Sequence, residues 1–321
     1  MKRTNNGAAI RSGNRTEDRQ GSDDPLLMEG VFEMLARRHI AIYLLPIVAF
    51  TCLFLVIPFG FAIYVSFQSW NGLSPMEFVG WGNYERIFND PVFIRSLINT
   101  GLWVLAAIFL HIPLGLLLAL ILSKRPRGWK FFRTTFFLPN VISSTALALM
   151  WYFIFHVNLG LLNGFLSTIG LENWQRPWLT DLQTALLTTQ LPFILYVGVT
   201  MVIFLMQITT IPNDLYEAAE IDGASGWQKD RYITIPLLAG TVAVNIIFNV
   251  TACLRMFEYP LLITGGGPAK ATMNISMYIY TEMMSANRYG VSLAAGVLTI
   301  IFGVVVIGLL LKAVRMMMGR G

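Results

Sequence analysis

Residues 97–123 read LINTGLWVLAAIFLHIPLGLLLALILS, without one Asp, Glu, Lys or Arg. At about 1.5 Å of rise per residue, a helix of this length runs roughly 40 Å. That exceeds the hydrocarbon layer of a bilayer, about 30 Å thick. In lipid every backbone amide and carbonyl must find its partner inside the segment, which a helix provides and a lone strand does not. Outward from this stretch the pattern repeats. Ile40–Phe67, Leu182–Met206 and Val291–Leu311 are equally charge-free, Thr135–His156 ends on a histidine, and Leu237–Thr264 carries Arg255 and Glu258 only near its far end. Six apolar runs predict an all-α polytopic membrane protein with six transmembrane helices.

Composition agrees with that reading. Of 321 residues 55% are hydrophobic and 13% charged, against about 25% charged in soluble domains. The net charge of +5 could suggest a nucleic-acid partner, but its placement excludes one. With the N-terminus in the cytoplasm, seventeen of the Lys and Arg residues fall in the inside segments and five in the outside ones (Arg86, Arg95, Arg176, Lys270 and Arg288). This is the positive-inside distribution, and it predicts that both termini are cytoplasmic. Trp70, Trp81 and Tyr84 in one outside segment, and Trp174 and Trp178 in the next, fit an interfacial aromatic belt.

The chain accordingly divides into a cytoplasmic tail (1–39), a first span with its external loop (40–96), a five-helix core (97–315) and a short C-terminal tail (316–321). Residues 1–24 are polar, lack apolar periodicity and read as disordered. They are too polar for a signal peptide, so the first span is expected to be retained. Cys52 and Cys253 both fall within spans and read as apolar packing residues, not as a disulfide or metal pair. His39, His111 and His156 are too far apart in sequence to form a helical metal or relay set. No catalytic residue, metal ligand or cofactor is expected, and no catalytic triad or phosphate loop is visible; Gly265-Gly266-Gly267-Pro268-Ala269-Lys270 has the wrong spacing for one and reads as a turn.

The segment between the fourth and fifth runs, residues 211–236, is of another kind. It begins Ile211-Pro212-Asn213-Asp214-Leu215-Tyr216-Glu217-Ala218-Ala219-Glu220-Ile221-Asp222-Gly223. Asp214 and Glu217 have capping-box spacing, and Gly223 suits the left-handed residue that closes a helix. Ser225 and Gln228 then repeat the capping pattern, and Ile235-Pro236 is predicted to end the second helix. Such short helices are marginal alone in water. The first carries Asp214, Glu217, Glu220 and Asp222 and no basic residue, unlike helices that lie on membranes. Leu215, Ala218, Ala219 and Asp222 recur at helical spacing, so docking into a groove of another protein explains the helix best.

Glu217-Ala218-Ala219, Gly223 and Ile235-Pro236-Leu237 resemble the "EAA" loop of ABC importer permeases. The longer form, from Pro212 to Ala224, is similar to the carbohydrate-uptake branch, the maltose-permease F-like and glycerol-3-phosphate-permease A-like proteins. The turn from Leu262 to Pro268, with Thr272, resembles a conserved turn of the first permease of such pairs. The resemblance spans roughly residues 40–315. It implies a type I ABC importer permease fold in the bacterial inner membrane and a non-enzymatic subunit. The implied partners are a second permease, two ATPase subunits that bind the ATP, and an external solute-binding protein delivering a carbohydrate-type solute. Glu217, Ala218, Ala219, Asp222 and Gly223 would couple to the ATPase, while Gly266, Gly267 and Pro268 would form a structural turn.

Where solute passes is less sharply written. Asn245, Asn249, Cys253 and Met256 follow at helical spacing in the fifth run, and Pro192, Tyr196 and Thr200 in the fourth. By the resemblance, Tyr196, Asn249, Cys253 and Met256 match pocket positions, although the residue types differ. The same amides serve equally to bind neighbouring helices. Arg255 and Glu258 read as an i,i+3 ion pair, and Ser292, Gly296, Thr299 and Gly303 as a small-residue face toward the second permease. The alternative class, an ion-gradient-driven secondary transporter, calls for ionisable residues at mid-membrane and repeat symmetry. The apolar runs carry no mid-span charge, and only one EAA-like loop occurs.

Overall fold

A computed structural model describes residues 43–318, so the tail at 1–39, the first three residues of the predicted first span (40–42) and residues 319–321 lie outside the described residues. The chain divides after Gly60. On the first side of that division lies most of helix α1 (Tyr43–Ser66), with a π turn at Cys52–Val56 and Phe50 stacked on Phe54. The rest begins with a two-residue antiparallel pair, β1 (Gln68–Ser69) and β2 (Glu77–Phe78), in register Gln68 to Phe78. Helices α2 (Gly82–Phe88), α3 (Pro91–Ser123), α4 (Trp129–Val141), α5 (Ser144–Phe155) and α6 (Leu161–Thr168) follow. Then come α7 (Ala185–Ile208), α8 (Asn213–Ile221), α9 (residues 226–237), α10 (Ala239–Thr264), α11 (Ile275–Tyr280) and α12 (Tyr289–Met318).

Among the described residues α1, α3, α7, α10 and α12 are long and apolar enough to cross a membrane. The third predicted run is not a straight span. It is the pair α4 and α5, bent by 102°, and the count reaches six only if that pair is one broken span. Pro139 has no amide to donate, residues 138–141 tighten into a 3-10 turn, and Ile142 turns extended at ψ 143°. Hydropathy is blind to this corner, because both arms are apolar. Helix α4 also begins at Trp129, six residues before the third apolar run.

Polarity is turned outside in. On α3 the exposed side chains include Ile98, Leu102, Leu105, Phe109, Leu117 and Ile121, whereas Asn99, Thr100 and His111 are buried. A water-soluble fold reverses this; a lipid-facing bundle requires it. Inside, Trp103, Met201, Phe204 and Val250 join α3, α7 and α10 in one core, and Phe93, Met273, Ile275 and Tyr278 form a second around α11.

Small residues set the closest helix approaches. A Cβ on Gly115 of α3 would lie 2.5 Å from the Thr200 methyl of α7, and one on Gly303 of α12 would lie 2.5 Å from Leu254 of α10. Ser292 is buried and donates to the Ile279 carbonyl, so much of the small-residue stripe on α12 packs against α10 and α11 of its own chain. This corrects the expectation of a face reserved for a second permease. Span residues favour such inward small stripes whenever a neighbour is available, and here α10 is.

Buried asparagines pin the irregular segments. Asn99 donates to the carbonyls of Ala271 (2.8 Å) and Met273 (2.7 Å), and Asn83 to those of Ser66 and Gln68 (both 2.8 Å). Asn99→Leu removes both donors while leaving two buried carbonyls unpaired, at about 1–3 kcal/mol each. The expected result is a clear loss of monodisperse protein on mild heating in detergent, measured by fluorescence size-exclusion chromatography.

Candidate functional site

The predicted solute path and the predicted docking segment occupy different parts of the bundle. The first is a cavity of about 230 Å³ whose wall includes His111, Asn140, Tyr196, Thr200, Asn249 and Met256. Helix α7 breaks at Tyr196 (ψ 57°), four residues after Pro192, and resumes at Gly198. The break turns the Tyr196 ring toward α5, where its hydroxyl accepts from Trp151 Nε1 at 2.5 Å. Helix α10 breaks likewise after Arg255, with Met256 extended. For that reason Arg255 and Glu258 do not sit one helical turn apart. Among the described residues they form no ion pair, which corrects the expected i,i+3 bridge.

One polar chain runs through the cavity wall. His111 Nδ1 donates to the Phe193 carbonyl (2.8 Å), leaving Nε2 to accept from the Thr200 hydroxyl (3.0 Å). Asn249 Nδ2 donates to Thr200 Oγ1 (3.2 Å) and to the Asn245 carbonyl (2.9 Å). Each donor finds an acceptor, as a buried network requires. Of the predicted path residues, Tyr196, Asn249 and Met256 line this cavity. Asn245 and Cys253 do not: both are fully buried, Asn245 donating to the Thr241 carbonyl and Cys253 lying against the Trp103 carbonyl. Sequence reasoning passed over His111, because a single histidine in an apolar run has no partner at helical spacing; its partners lie more than eighty positions away.

The turn after α10 is held by its own backbone. Gly265 and Gly266 have φ of 62° and 81°, and a Cβ on Gly266 would fall 2.8 Å from Met273. The Gly267–Pro268 bond is cis, and Thr272 ties the turn by donating to the Gly267 carbonyl (2.9 Å).

The predicted docking segment is two helices joined by a glycine turn. Helix α8 starts after Pro212 with no side-chain cap, so the expected Asp214–Glu217 capping box is absent. The chain enters the helix two residues earlier than that pattern requires. At the other end Asp222 is the C-cap, Gly223 takes φ 75°, and the Ala224 amide reaches back to the Ala219 carbonyl (2.9 Å), a Schellman closure. Ser225 and Gln228 form a true capping box at the start of α9. Pro236 does not end α9. A π turn at Asp230–Thr234 absorbs the lost hydrogen bond, and the chain stays helical to Leu237.

Two tethers fix α8 to its own chain. The Tyr216 hydroxyl bonds Thr234 Oγ1 (3.0 Å), and Glu220 pairs with Lys229 at 2.5 Å, which holds its carboxyl below the usual carboxylate range. Lys124 bonds Asp230 (2.5 Å), locking the end of α3 to α9. On the side of α8 away from the tethers, Asp214, Glu217, Ala218 and Ile221 are all exposed, Ile221 at 87%. Gly223 and Asp222 are exposed as well, whereas Ala219 is half-buried. Sequence reading placed Leu215, Ala218, Ala219 and Asp222 on the docking face; all but Ala219 are exposed, and the reading missed Ile221. Its i+4 spacing from Glu217 was the available signal.

The family described as "Binding-protein-dependent transport system inner membrane component" matches residues 111–316, which hold both the cavity and the docking segment. The chain is 36% identical to a probable ABC transporter permease protein, YurN, of Bacillus subtilis (strain 168), over 81% of this chain and 90% of that one. It is 33% identical to the diacetylchitobiose uptake system permease protein NgcF of Streptomyces coelicolor, over 79% and 77%. Its fold is similar to a chain from the crystal structure of a bacterial alginate ABC transporter in complex with alginate pentasaccharide-bound periplasmic protein. That likeness has a TM-score of 0.75 at 24% identity, covering 89% of this chain and 97% of that one. A multi-pass helical chain with these relatives belongs to the family of binding-protein-dependent transport system inner membrane components, the permeases of ABC transporters.

Proposed function

We propose that this chain is the permease subunit of an ATP-driven bacterial importer for a carbohydrate-type solute: a sugar, oligosaccharide, polyol or glycerol phosphate. The observation that carries the reading is α8, an acidic helix tethered on one side and wholly exposed on the other, with Ile221 uncovered beside Glu217. Uncovered apolar surface next to unpaired carboxylates suits a groove on a partner protein better than water or anionic lipid. A separate ATPase, present in two copies, docks there on the cytoplasmic side and binds the ATP; the chain itself needs no cofactor. The carbohydrate class is supported by relatives such as the diacetylchitobiose permease and by the resemblance of the 212–224 stretch.

A second permease pairs with this one, and a solute-binding protein delivers solute from outside. Closure of the ATPase pair pushes α8, and the push passes through α9, Lys124–Asp230 and α10 to the helix breaks at Tyr196 and Met256. Coupling of two sites through a rigid element needs two discrete arrangements, and broken helices are where such arrangements hinge. The test is a single cysteine at Ile221 in a Cys52→Ser, Cys253→Ser background. Cross-linking in native membranes should yield a partner polypeptide carrying a Gly-rich phosphate loop. Labelling of that thiol from the external side by an impermeant reagent would overturn the reading.

A further inference from the structure

We propose that the cleft between α4 and α7 is a binding site for an anionic phospholipid. It is a cavity of about 240 Å³ at the end of the bundle that carries α8. Arg125 and Arg133 line it together with Trp129, and Val202, Leu205 and Met206 of α7 supply an apolar wall. Positive charge at one end of an apolar slot is the complement of a phosphate head with an acyl chain below it.

A second observation points the same way. Arg125, Lys130 and Arg133 all crowd the Trp129 ring, at 6.0, 5.9 and 5.6 Å from its centre. Three like charges around one half-buried ring repel one another, and the ring's quadrupole offsets only part of that repulsion. Among the described residues none of the three is ion-paired; the neighbouring Lys124, by contrast, is committed to Asp230. In sequence the carboxylates on either side are Asp90 and Glu172, and neither lines the cleft. No described carboxylate pairs with the three, and in a bilayer the abundant anion available to them is a lipid phosphate. Arg guanidinium groups hold phosphate in a bidentate fashion that lysine does not reproduce. Exposed Phe131, Phe132 and Phe137 on α4 continue the apolar surface into the membrane.

Native mass spectrometry of the full chain in detergent, titrated with phosphatidylglycerol, tests this. One tightly held phosphatidylglycerol per chain is expected, with phosphatidylcholine of the same acyl chains retained on the order of tenfold less. Arg125→Gln with Arg133→Gln should abolish that preference, while Arg127→Gln, outside the cleft, preserves it. The double Lys variant should keep a weakened preference, which separates lost charge from lost folding. Equal retention of the two lipids, or a preference unchanged in the double Gln variant, overturns the proposal. So does displacement of phosphatidylglycerol by millimolar inorganic phosphate, which would mark a site for the free anion.

Discussion

Glu217→Ala is expected to lower ATP-driven solute uptake by roughly 5- to 150-fold, the span of a coupling free energy of about 1–3 kcal/mol, with the amount of inserted protein unchanged. The two halves of that expectation have separate grounds. Glu217 is exposed and bonds to no described side chain, so its loss costs the isolated fold little; surface changes of this kind stay within about 0.5 kcal/mol. Its neighbour Glu220 is different, because it holds Lys229 at 2.5 Å and thereby the angle between α8 and α9. A carboxylate left without a partner on a rigid, tethered helix is available to one elsewhere. Gly223→Val should reproduce the uptake loss by another route, since φ 75° costs a β-branched residue about 1–2 kcal/mol and would tilt the end of α8. Uptake of labelled solute into membrane vesicles, normalised to immunoblotted subunit, reads both. Undiminished uptake in Glu217→Ala would remove α8 from the coupling path.

The sequence carried the membrane character, the helical class, the C-terminal end of α8 and the start of α9 because each is set by local chemistry. Charge-free length, a glycine at the required left-handed position and a Ser225–Gln228 box need no knowledge of distant contacts. What it did not carry was set by contacts far apart in the chain. Pro139 was visible, but not that Ile142 would turn extended and fold α5 across the end of α4. Pro236 looked like a stop, and a π turn upstream made it tolerable. Asn245, Asn249 and Cys253 do share a buried face, as their spacing required. Which of them meets empty space depends on α4, α5 and α7, and only Asn249 does. His111 was hidden for the same reason, its partners Phe193 and Thr200 being supplied by α7. The resemblance to a known loop supplied a role for Glu217; it could not say that Ile221 stands uncovered beside it.

Gly198→Ala is expected to impair both stability and transport strongly. A Cβ there would stand 2.4 Å from the Phe136 carbonyl oxygen, 2.5 Å from Asn140 Nδ2 and 2.7 Å from the Phe137 Cα. Two of these three are backbone atoms, so no rotamer change relieves the clash. The corner between α4 and α5 must retreat from α7. Overpacking of this sort costs about 1–3 kcal/mol where side chains can shift, and more where they cannot. The corner also supplies Pro139, Asn140 and Ile142 to the cavity wall that Tyr196 shares, so its retreat reshapes the proposed solute path along with the packing. Gly240→Ala is the matched control: nothing lies within 4 Å of the added methyl, and the residue sits in helix α10. There alanine should be neutral or stabilising by roughly 0.5–1 kcal/mol. Thermal loss of the monodisperse peak in detergent should rank Gly240→Ala, wild type and Gly198→Ala in that order. Uptake should follow the same order at the bottom, with Gly198→Ala reduced even when corrected for surviving protein. Equal stability of the two variants would mean that α4 does not press on α7 at Gly198, and the cavity would lose the wall that gives it shape.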